Sequence, residues 1–247
     1  MEFGPDSIVV PLVGTTKAVV LEEIADSCDV ADIFEWRIDF MIASHPNPSI
    51  TAIAQDMIPE MLASTDLPFL LTIRTLGEGG TVELSDGRVR LLFAELFDVL
   101  MRLQVDPERV AIDCEFTMPQ VAEFVRRAKD AGYATMVSHH ESADTPDDEV
   151  MQLMIEEMRE VGADVVKFVV SARQESDRDR LYKVLDEVYD PAHPLISYAQ
   201  GVLGVPSRYE ALRHGSVATF VPAGHPAKPR LISPEALREK VNEIRAE

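Results

Sequence analysis

Residues 150–170 read VMQLMIEEMREVGADVVKFVV, and this stretch contains the repeating unit that decides the fold. Its first part carries apolar residues at a spacing near one helical turn, which predicts a helix with one buried face: Val150, Met151, Met154, Ile155, Met158 and Val161. The run Val165–Val170 that follows has the length and the valine content of a buried strand. A helix and a strand therefore follow each other within one short segment.

The same alternation extends over the whole chain. Similar helical stripes occur at Leu92–Leu103, Leu181–Val188 and Leu237–Ile244. Eight strand-length apolar runs lie among such stripes: Ile8–Val13, Asp32–Arg37, Phe69–Arg74, Val110–Glu115, Tyr133–Ser138, Val165–Val170, Leu195–Ala199 and Val217–Val221. A strand followed by a helix, repeated eight times, is the pattern of a parallel α/β barrel, the (β/α)8 or TIM barrel.

An open doubly wound sheet is the alternative fold. It usually has a glycine-rich phosphate loop after its first strand, and residues 13–17 read VGTTK, which is not such a loop. No linker, low-complexity tract or internal sequence repeat divides the chain. Residues 1–247 are therefore predicted to form a single (β/α)8 barrel domain.

The charge balance excludes several classes of partner. The 247 residues include 43 acidic and 23 basic side chains, which gives a net charge of −20. A chain this acidic repels phosphates, so we expect neither nucleic acid nor an anionic membrane surface as a partner. Most of the acidic excess is expected on solvated helix faces, so basic groups near a predicted site are candidates for binding a small anion.

The sequence favours a soluble protein of the cytoplasm. The N-terminal residues MEFGPD lack a basic region typical of signal peptides, and no apolar run approaches the roughly 18 residues of a membrane span. The two cysteines, Cys28 and Cys114, provide neither a disulfide framework nor a zinc-binding spacing. A reducing compartment is the expectation that follows.

In a (β/α)8 barrel the active site lies at the carboxyl ends of the strands. Period-2 alternation places Glu35 and Arg37, at the end of the second strand, on one face. They form either a buried ion pair with a purely structural role or part of a binding site for a hydroxylated or anionic ligand. Arg74 ends the third strand, and Glu78 follows among three glycines, which fits either a solvent loop or a tight approach to the barrel mouth.

The fourth and fifth strands end in further titratable residues. The fourth supplies Asp113 and Glu115, and the fifth ends with His139 and His140. Histidine suits general acid and base chemistry because its pKa lies near neutrality, although a hydrogen-bonded core histidine beside an exposed one is the structural alternative. Strand alternation supports a role for one histidine without choosing which. Asp113, Glu115 and His140 would also be a conceivable set of metal ligands.

Lys167 is the most informative single residue, because it interrupts the apolar sixth strand. Burying an ammonium group is costly and packing does not compensate for it. Burial lowers the pKa of a lysine, and the neutral amine attacks ketones to form an imine. The structural alternative is a lysine that pairs with one carboxylate.

Taken in order, these residues resemble type I 3-dehydroquinate dehydratase, the Schiff-base dehydroquinase of the shikimate pathway. The resemblance runs from about Ile8 to Ser233. It rests on an ordered set of motifs at strand ends: Glu-Trp-Arg-Ile-Asp at 35–39, Thr-Ile-Arg at 72–74, Glu-Gly-Gly at 78–80, Asp-Cys-Glu at 113–115, Ser-x-His at 138–140, Lys167, Gly-x-x-Gly-x-x-Ser-Arg at 201–208, Gly-Ser at 215–216 and Thr-Phe at 219–220.

The resemblance implies a (β/α)8-barrel lyase of aromatic amino acid biosynthesis, commonly a homodimer, that uses neither a metal nor an organic cofactor. Its substrate would be a small anionic carbocyclic keto acid, 3-dehydroquinate, which it would dehydrate to 3-dehydroshikimate.

The same resemblance implies roles for individual residues. Lys167 would form an imine with the substrate ketone, and His140 would remove the adjacent carbon-bound proton and later protonate the departing hydroxyl. Glu78 would tune the orientation and pKa of His140, and His139 would be a bystander. The substrate would be bound by four further residues, of which the first three contact ring hydroxyls and the last contacts the carboxylate: Glu35, Arg37, Arg74 and Arg208.

The sequence departs from the family pattern in the loop that covers the substrate. The family usually reads Ser-Ala-Pro-Gly-Gln there, whereas residues 227–231 read AKPRL, and Arg230 or Lys228 is the candidate replacement for the lost contacts. Pro11, Tyr198 and Gln200 also replace residues that are usual in the family. Two alternatives follow: a Schiff-base enzyme of this family that acts on a related keto acid, or a non-catalytic protein that binds a metabolite.

Overall fold

A computed structural model of the chain describes residues 3–45, 49–222 and 231–246. Eight strands occur within these ranges: β1 Ser7–Leu12, β2 Ile33–Arg37, β3 Phe69–Thr72, β4 Val110–Glu115, β5 Ala134–His140, β6 Val165–Ser171, β7 Leu195–Gln200 and β8 Ala218–Phe220. The α-helices of the same ranges are α1 Lys17–Ser27, α2 Ile38–Ser44, α3 Ile50–Ser64, α4 Asp86–Leu103, α5 Val121–Asp130, α6 Asp148–Glu160, α7 Glu175–Glu187, α8 Ser207–Glu210 and α9 Pro234–Arg245.

The strands form one parallel sheet that curves into a barrel. Each strand from β1 to β7 pairs with its neighbours in sequence, and β1 also pairs with β8. The remaining seam lies between β7 and β8, where Leu195 forms a parallel bridge with Ser216 and its carbonyl oxygen accepts a hydrogen bond of 2.9 Å from the Val217 N–H. The predicted (β/α)8 barrel is confirmed.

Several observed strand bounds differ from the predicted ones by one residue, and the two largest differences are at the carboxyl ends of β3 and β5, where hydrogen bonding explains both. β3 ends at Thr72 rather than Arg74. Just beyond it, the Thr75 N–H donates a hydrogen bond of 2.7 Å to the Glu115 carboxylate of β4, instead of to a backbone carbonyl of the neighbouring strand. β5 continues to His140, which pairs with Val169 of β6. Both differences bear on the site, because Arg74 is released from the sheet and His140 is held within it.

Alternation along the strands separates two apolar cores. Inward-facing residues pack with one another on the barrel axis, among them Val9, Leu70, Met136 and Ile196. Outward-facing residues pack against the surrounding helices, and Trp36 is fully buried in that outer layer. Burial of large apolar side chains on both faces of each strand is typical of a parallel sheet covered by helices. None of the helices in the described ranges is long and apolar enough to cross a membrane.

Candidate active site

A cavity of about 1110 Å³ opens at the carboxyl ends of the strands. It is lined by six of the eight predicted site residues: Glu35, Arg37, Arg74, His140, Lys167 and Arg208. Glu78 lies behind this lining, in contact with His140. Arg230 lies outside the described residues. The barrel thus gathers side chains from strands that are far apart in sequence at one opening.

Lys167 lies at the centre of the barrel and is fully buried, with 0% of the residue exposed. Its ammonium nitrogen Nζ lies 3.6 Å from the centroid of the Phe220 ring and 3.8 Å from Glu35 Oε1, and it has no hydrogen-bond partner among the described residues. Burial lowers the pKa of Lys167 below its ordinary value and outweighs the nearby carboxylates, which raise it. The residue is therefore a buried amine whose protonation is disfavoured.

Glu35 provides negative charge beside this amine. Its Oε1 atom lies 3.6 Å from Arg74 Nη2 and accepts a hydrogen bond of 3.2 Å from Thr72 Oγ1. Burial opposes ionisation of Glu35, but the charges of Lys167 and of the two arginines, Arg74 and Arg37, outweigh it and hold the pKa of Glu35 below its ordinary value. Glu35 is accordingly a carboxylate in a basic surrounding.

His140 and Glu78 form the second chemical unit of the site. His140 Nδ1 lies 3.0 Å from Glu78 Oε2, and both side chains are almost fully buried. A carboxylate at Nδ1 favours the tautomer in which Nδ1 carries the proton, which leaves Nε2 free to accept one. Burial and the positive charges of Arg74, Lys167 and Arg37 lower the pKa of His140 well below its ordinary value. The imidazole is therefore neutral at pH 7 and available as a base.

The backbone of the loop after β3 brings Glu78 to this position. Gly79 adopts a left-handed conformation with φ 83° directly after Glu78. A side chain at Gly80 would collide with the carbonyl group of Arg74. The two glycines therefore permit a tight turn that any other residue type would strain. This turn brings Glu78 to the barrel mouth.

His139 faces the opposite side of β5 from His140 but contacts the same carboxylate. Its ring stacks on Phe168 with centroids 6.0 Å apart, and its Nδ1 lies 3.4 Å from Glu78 Oε1. Burial lowers the pKa of His139, but the interaction with Glu78 raises it more, so that the net shift is upward. The two histidines thus have opposite tendencies to bind a proton, and their separate roles remain predictions.

Arg37 is held by a residue that the sequence analysis did not single out. Its Nε and Nη2 atoms donate to the two carboxylate oxygens of Asp39 at 2.7 and 2.8 Å, which is a bidentate ion pair. Thr81 adds hydrogen bonds to Asp39 from its N–H at 3.2 Å and from its hydroxyl at 3.0 Å. The Arg-Ile-Asp sequence contained this signal, because residues two apart after a strand lie near each other.

Arg208 enters the cavity from the short helix α8. Its guanidinium group donates to the carbonyl oxygen of Phe220 and lies 4.3 Å from the centroid of the Tyr198 ring. Burial lowers the pKa of Arg208, but arginine remains charged at every relevant pH. Within the described residues both of these contacts are to uncharged groups, so Arg208 carries a positive charge that neither contact neutralises.

The structure brings together Thr72, to which the sequence assigned no role, and Asp113, which the sequence offered only as a conceivable metal ligand. Thr72 Oγ1 lies 3.3 Å from Asp113 Oδ2, on the inner face of the barrel. Burial raises the pKa of Asp113 to about 6. Alternation along β3 and β4 is enough to predict that both side chains point inward. Their contact with each other depends on the register between the two strands, in which Thr72 lies opposite Asp113.

Within residues 3–45, 49–222 and 231–246, no three His, Cys, Asp or Glu side chains form a group that could hold a metal ion. Asp113, Glu115 and His140 are all buried near the barrel mouth, but they do not converge as such a group. Glu115 instead accepts hydrogen bonds from the Thr75 N–H and hydroxyl at 2.7 and 2.9 Å. The conceivable metal set is therefore not assembled by the described residues.

The fold and the site define a (β/α)8-barrel enzyme with a buried lysine beside a histidine–glutamate pair. Comparisons with known proteins agree with this class. The family model of "Type I 3-dehydroquinase" matches residues 8–246. The chain belongs to the type I 3-dehydroquinase family.

Individual relatives resemble the chain over nearly its full length. The 3-dehydroquinate dehydratase of Klebsiella pneumoniae subsp. pneumoniae is 31% identical over 242 residues, which cover 96% of this chain and 92% of that protein. The 3-dehydroquinate dehydratase of Enterococcus faecalis is 28% identical over 240 residues, with 95% and 91% coverage. The crystal structure of the type I 3-dehydroquinate dehydratase from Clostridium difficile with covalent modified comenic acid superimposes with a TM-score of 0.84 at 26% identity, covering 99% of this chain and 94% of that one.

Proposed function

We propose that the protein dehydrates 3-dehydroquinate to 3-dehydroshikimate through an imine on Lys167, with His140 as general acid and base. One observation carries the proposal: a fully buried amine and an imidazole Nε2 that has no hydrogen-bond partner among the described residues line the same cavity. The curated relatives that match over nearly the whole chain are named 3-dehydroquinate dehydratases, which supports this substrate and this reaction.

Lys167 performs the covalent step. Its lowered pKa increases the fraction of neutral amine, which attacks the ketone carbon of the substrate. Loss of water gives an iminium group, in which the Nζ–C bond has replaced the ketone C–O bond. The positive nitrogen then accepts the electron pair of an adjacent C–H bond when that bond breaks.

His140 moves the protons. Its free Nε2 removes the proton from the carbon next to the iminium, and the resulting electron pair forms an enamine with Lys167. The same Nε2–H then donates that proton to the departing hydroxyl group, so that water leaves and the ring gains a carbon–carbon double bond. Glu78, at 3.0 Å from Nδ1, stabilises the imidazolium that exists between the two steps. Hydrolysis of the imine releases the enone product and restores the lysine.

The basic side chains of the cavity fit a small anionic carbocyclic keto acid. Arg208, whose contacts with the described residues are to uncharged groups, binds the substrate carboxylate. Arg74 and Glu35 line the cavity beside Lys167 and bind ring hydroxyls. Arg37 binds a hydroxyl from a fixed position, because Asp39 holds its guanidinium group.

A related keto acid is the second candidate substrate. Pro11, Tyr198 and Gln200, which replace residues usual in the family, all line the cavity. The predicted contact from Arg230 lies outside the described residues. Comparing kcat/KM for several carbocyclic keto acids decides between the two substrates, and 3-dehydroquinate is expected to give the highest value.

Borohydride trapping tests the mechanism. Protein mixed with 3-dehydroquinate and sodium borohydride should carry a reduced adduct, and peptide mass mapping should locate it at Lys167. Turnover is followed by the absorbance of the enone product. Turnover without an adduct at Lys167 would exclude the imine, and tight binding without turnover would support the non-catalytic alternative.

The proposal extends to the state in which the enzyme acts. We propose that residues 1–247 act as one domain, as a homodimer in the cytoplasm, without a metal or an organic cofactor. Light scattering coupled to size-exclusion chromatography measures the oligomeric state. Activity that survives dialysis against a chelator is the expected result for a reaction that needs no metal.

A further inference from the structure

A continuous line of contacts leads from the reactive amine into the base of the site. Lys167 Nζ lies 3.8 Å from Glu35 Oε1, and the same oxygen lies 3.2 Å from Thr72 Oγ1. Thr72 Oγ1 in turn lies 3.3 Å from Asp113 Oδ2. Three strands besides that of the lysine contribute to this line, and all four residues are at most 2% exposed.

The hydroxyl of Thr72 has a single hydrogen but two carboxyl oxygens as neighbours. It can donate to only one of them at a time. If Glu35 is ionised, Thr72 donates to Glu35, and its oxygen can then accept a hydrogen bond only from a protonated Asp113. Both contacts are hydrogen bonds at once only when one of the two acids carries a proton.

Burial and the charge of Glu35 favour the protonated form of Asp113, whereas the other groups around it oppose that form. Lys167 faces it from β6, Arg74 from the end of β3, Glu35 from β2 and Ser138 from β5. Burial raises the pKa of Asp113 to about 6 even though the charges of Lys167 and Arg74 lower it. When Lys167 is a neutral amine, that part of the lowering disappears, so Asp113 then retains its proton to a higher pH.

We propose that Asp113 supplies the proton that iminium formation consumes and then, as a carboxylate, acts as counter-ion to the iminium. This inference rests on the imine proposed above. A neutral amine, a ketone and one proton give an iminium cation and water. The Nζ–C bond forms, the ketone C–O bond breaks, and the oxygen leaves as water with one hydrogen from the amine and one from the acid. Hydrolysis of the product imine returns the proton to Asp113.

The proton moves along the line of contacts. Asp113 donates to Thr72 Oγ1, Thr72 donates its own hydrogen to Glu35 Oε1, and Glu35 donates to the adduct. The 3.8 Å between Glu35 and the lysine nitrogen exceeds a hydrogen bond, so this contact shortens as the adduct forms. Asp113 does not touch the substrate. It is a positioning residue that acts through Lys167, by stabilising the positive charge of the iminium.

Proton uptake during adduct formation distinguishes this role from a structural one. The full chain carrying His140→Ala is the background, because it removes the competing proton carrier and stops the reaction at the imine. It is mixed with 3-dehydroquinate at about pH 5.5, below the pKa of Asp113, in weak buffer containing a pH indicator, and the adduct at Lys167 is counted after borohydride reduction. We expect uptake close to zero protons per adduct with Asp113 present, and close to one with Asp113→Asn.

A second pair of variants tests the path itself. Thr72→Val interrupts it and should slow adduct formation about a hundredfold, the lower end of the range of effects of positioned proton transfer. Thr72→Ser keeps a hydroxyl and should retain the original rate. This pair remains informative if Asp113→Asn does not fold.

Each outcome decides something. Equal proton uptake with and without Asp113, or a Thr72→Val rate equal to that of Thr72→Ser, would overturn this inference while the imine mechanism stands. Absence of any adduct at Lys167 in the unaltered protein during turnover would overturn the proposed mechanism, and this inference with it.

Discussion

Replacing Lys167 with methionine should abolish turnover and leave the barrel folded. The reaction loses its nucleophile, whereas methionine fills a similar volume with apolar atoms. This prediction separates two interpretations of a buried lysine. If Lys167 is an ion-pair partner that holds the fold together, its removal unfolds the protein; if it serves chemistry, the fold survives.

The geometry gives the magnitude. At 3.8 Å, the attraction between Lys167 Nζ and Glu35 Oε1 is about 4 kcal/mol at an effective dielectric constant of about 20. Desolvation of a buried ammonium opposes this by several kcal/mol. The pKa of Lys167 is shifted downward, so desolvation is the larger of the two contributions. We therefore expect the free energy of unfolding to change by less than about 1.5 kcal/mol, which is a Tm shift within about 6 °C for a chain of this size.

The assay measures enone absorbance with 3-dehydroquinate and the Tm by circular dichroism. Lys183→Met is the matched control, because Lys183 is exposed on α7 and bonded to Asp148 at 3.1 Å, away from the cavity. It should retain full activity. A Tm lower by more than about 10 °C for Lys167→Met would show that the lysine supports the fold, and measurable turnover in that variant would refute its role as nucleophile.

Four further predictions address the surrounding residues. His140→Ala should lower kcat by about 10²–10⁴-fold, the usual contribution of a general acid or base, while the covalent adduct at Lys167 accumulates and is counted by intact-protein mass after borohydride reduction. His139→Ala should retain most of kcat, and a larger loss than that of His140→Ala would reverse the assignment of the two histidines. Arg208→Lys should raise KM for 3-dehydroquinate more than it lowers kcat, because lysine does not reproduce bidentate binding of a carboxylate; initial-rate kinetics measure both, and an unchanged KM would contradict the role in carboxylate binding. Burial and the charge of Glu78 raise the pKa of Glu115 to about 7, above its ordinary value of 4.5, so this carboxyl contributes stability at low pH that is lost as the pH rises through 7. Between pH 5 and pH 8, Glu115→Gln should therefore gain stability relative to the unaltered protein, by up to about 3 kcal/mol in the free energy of unfolding. A difference in Tm between the two proteins that does not change with pH would contradict the shift in pKa.

Much of the fold was predictable from local pattern. Eight apolar runs alternating with helical stripes predicted eight strands and their order, because burial on both faces of a parallel strand leaves a continuous apolar run. Alternation within a strand also predicted that Glu35 and Arg37 share a face, and the structure places both in the cavity. Lys167 was identifiable because a charged side chain in such a run is an exception that packing alone does not explain.

The sequence alone therefore determined the type of barrel, the strands that carry reactive groups, and the presence of a lysine and a histidine among them. Only the tertiary structure decided which side chains share a partner. His139 and His140 both contact Glu78, although alternation places them on opposite faces of the strand. Thr72 contacts Glu35 and Asp113 across sequence separations of 37 and 41 residues. Periodicity is a property of one segment, whereas these contacts depend on strand register and barrel curvature, which bring the ends of separate strands together.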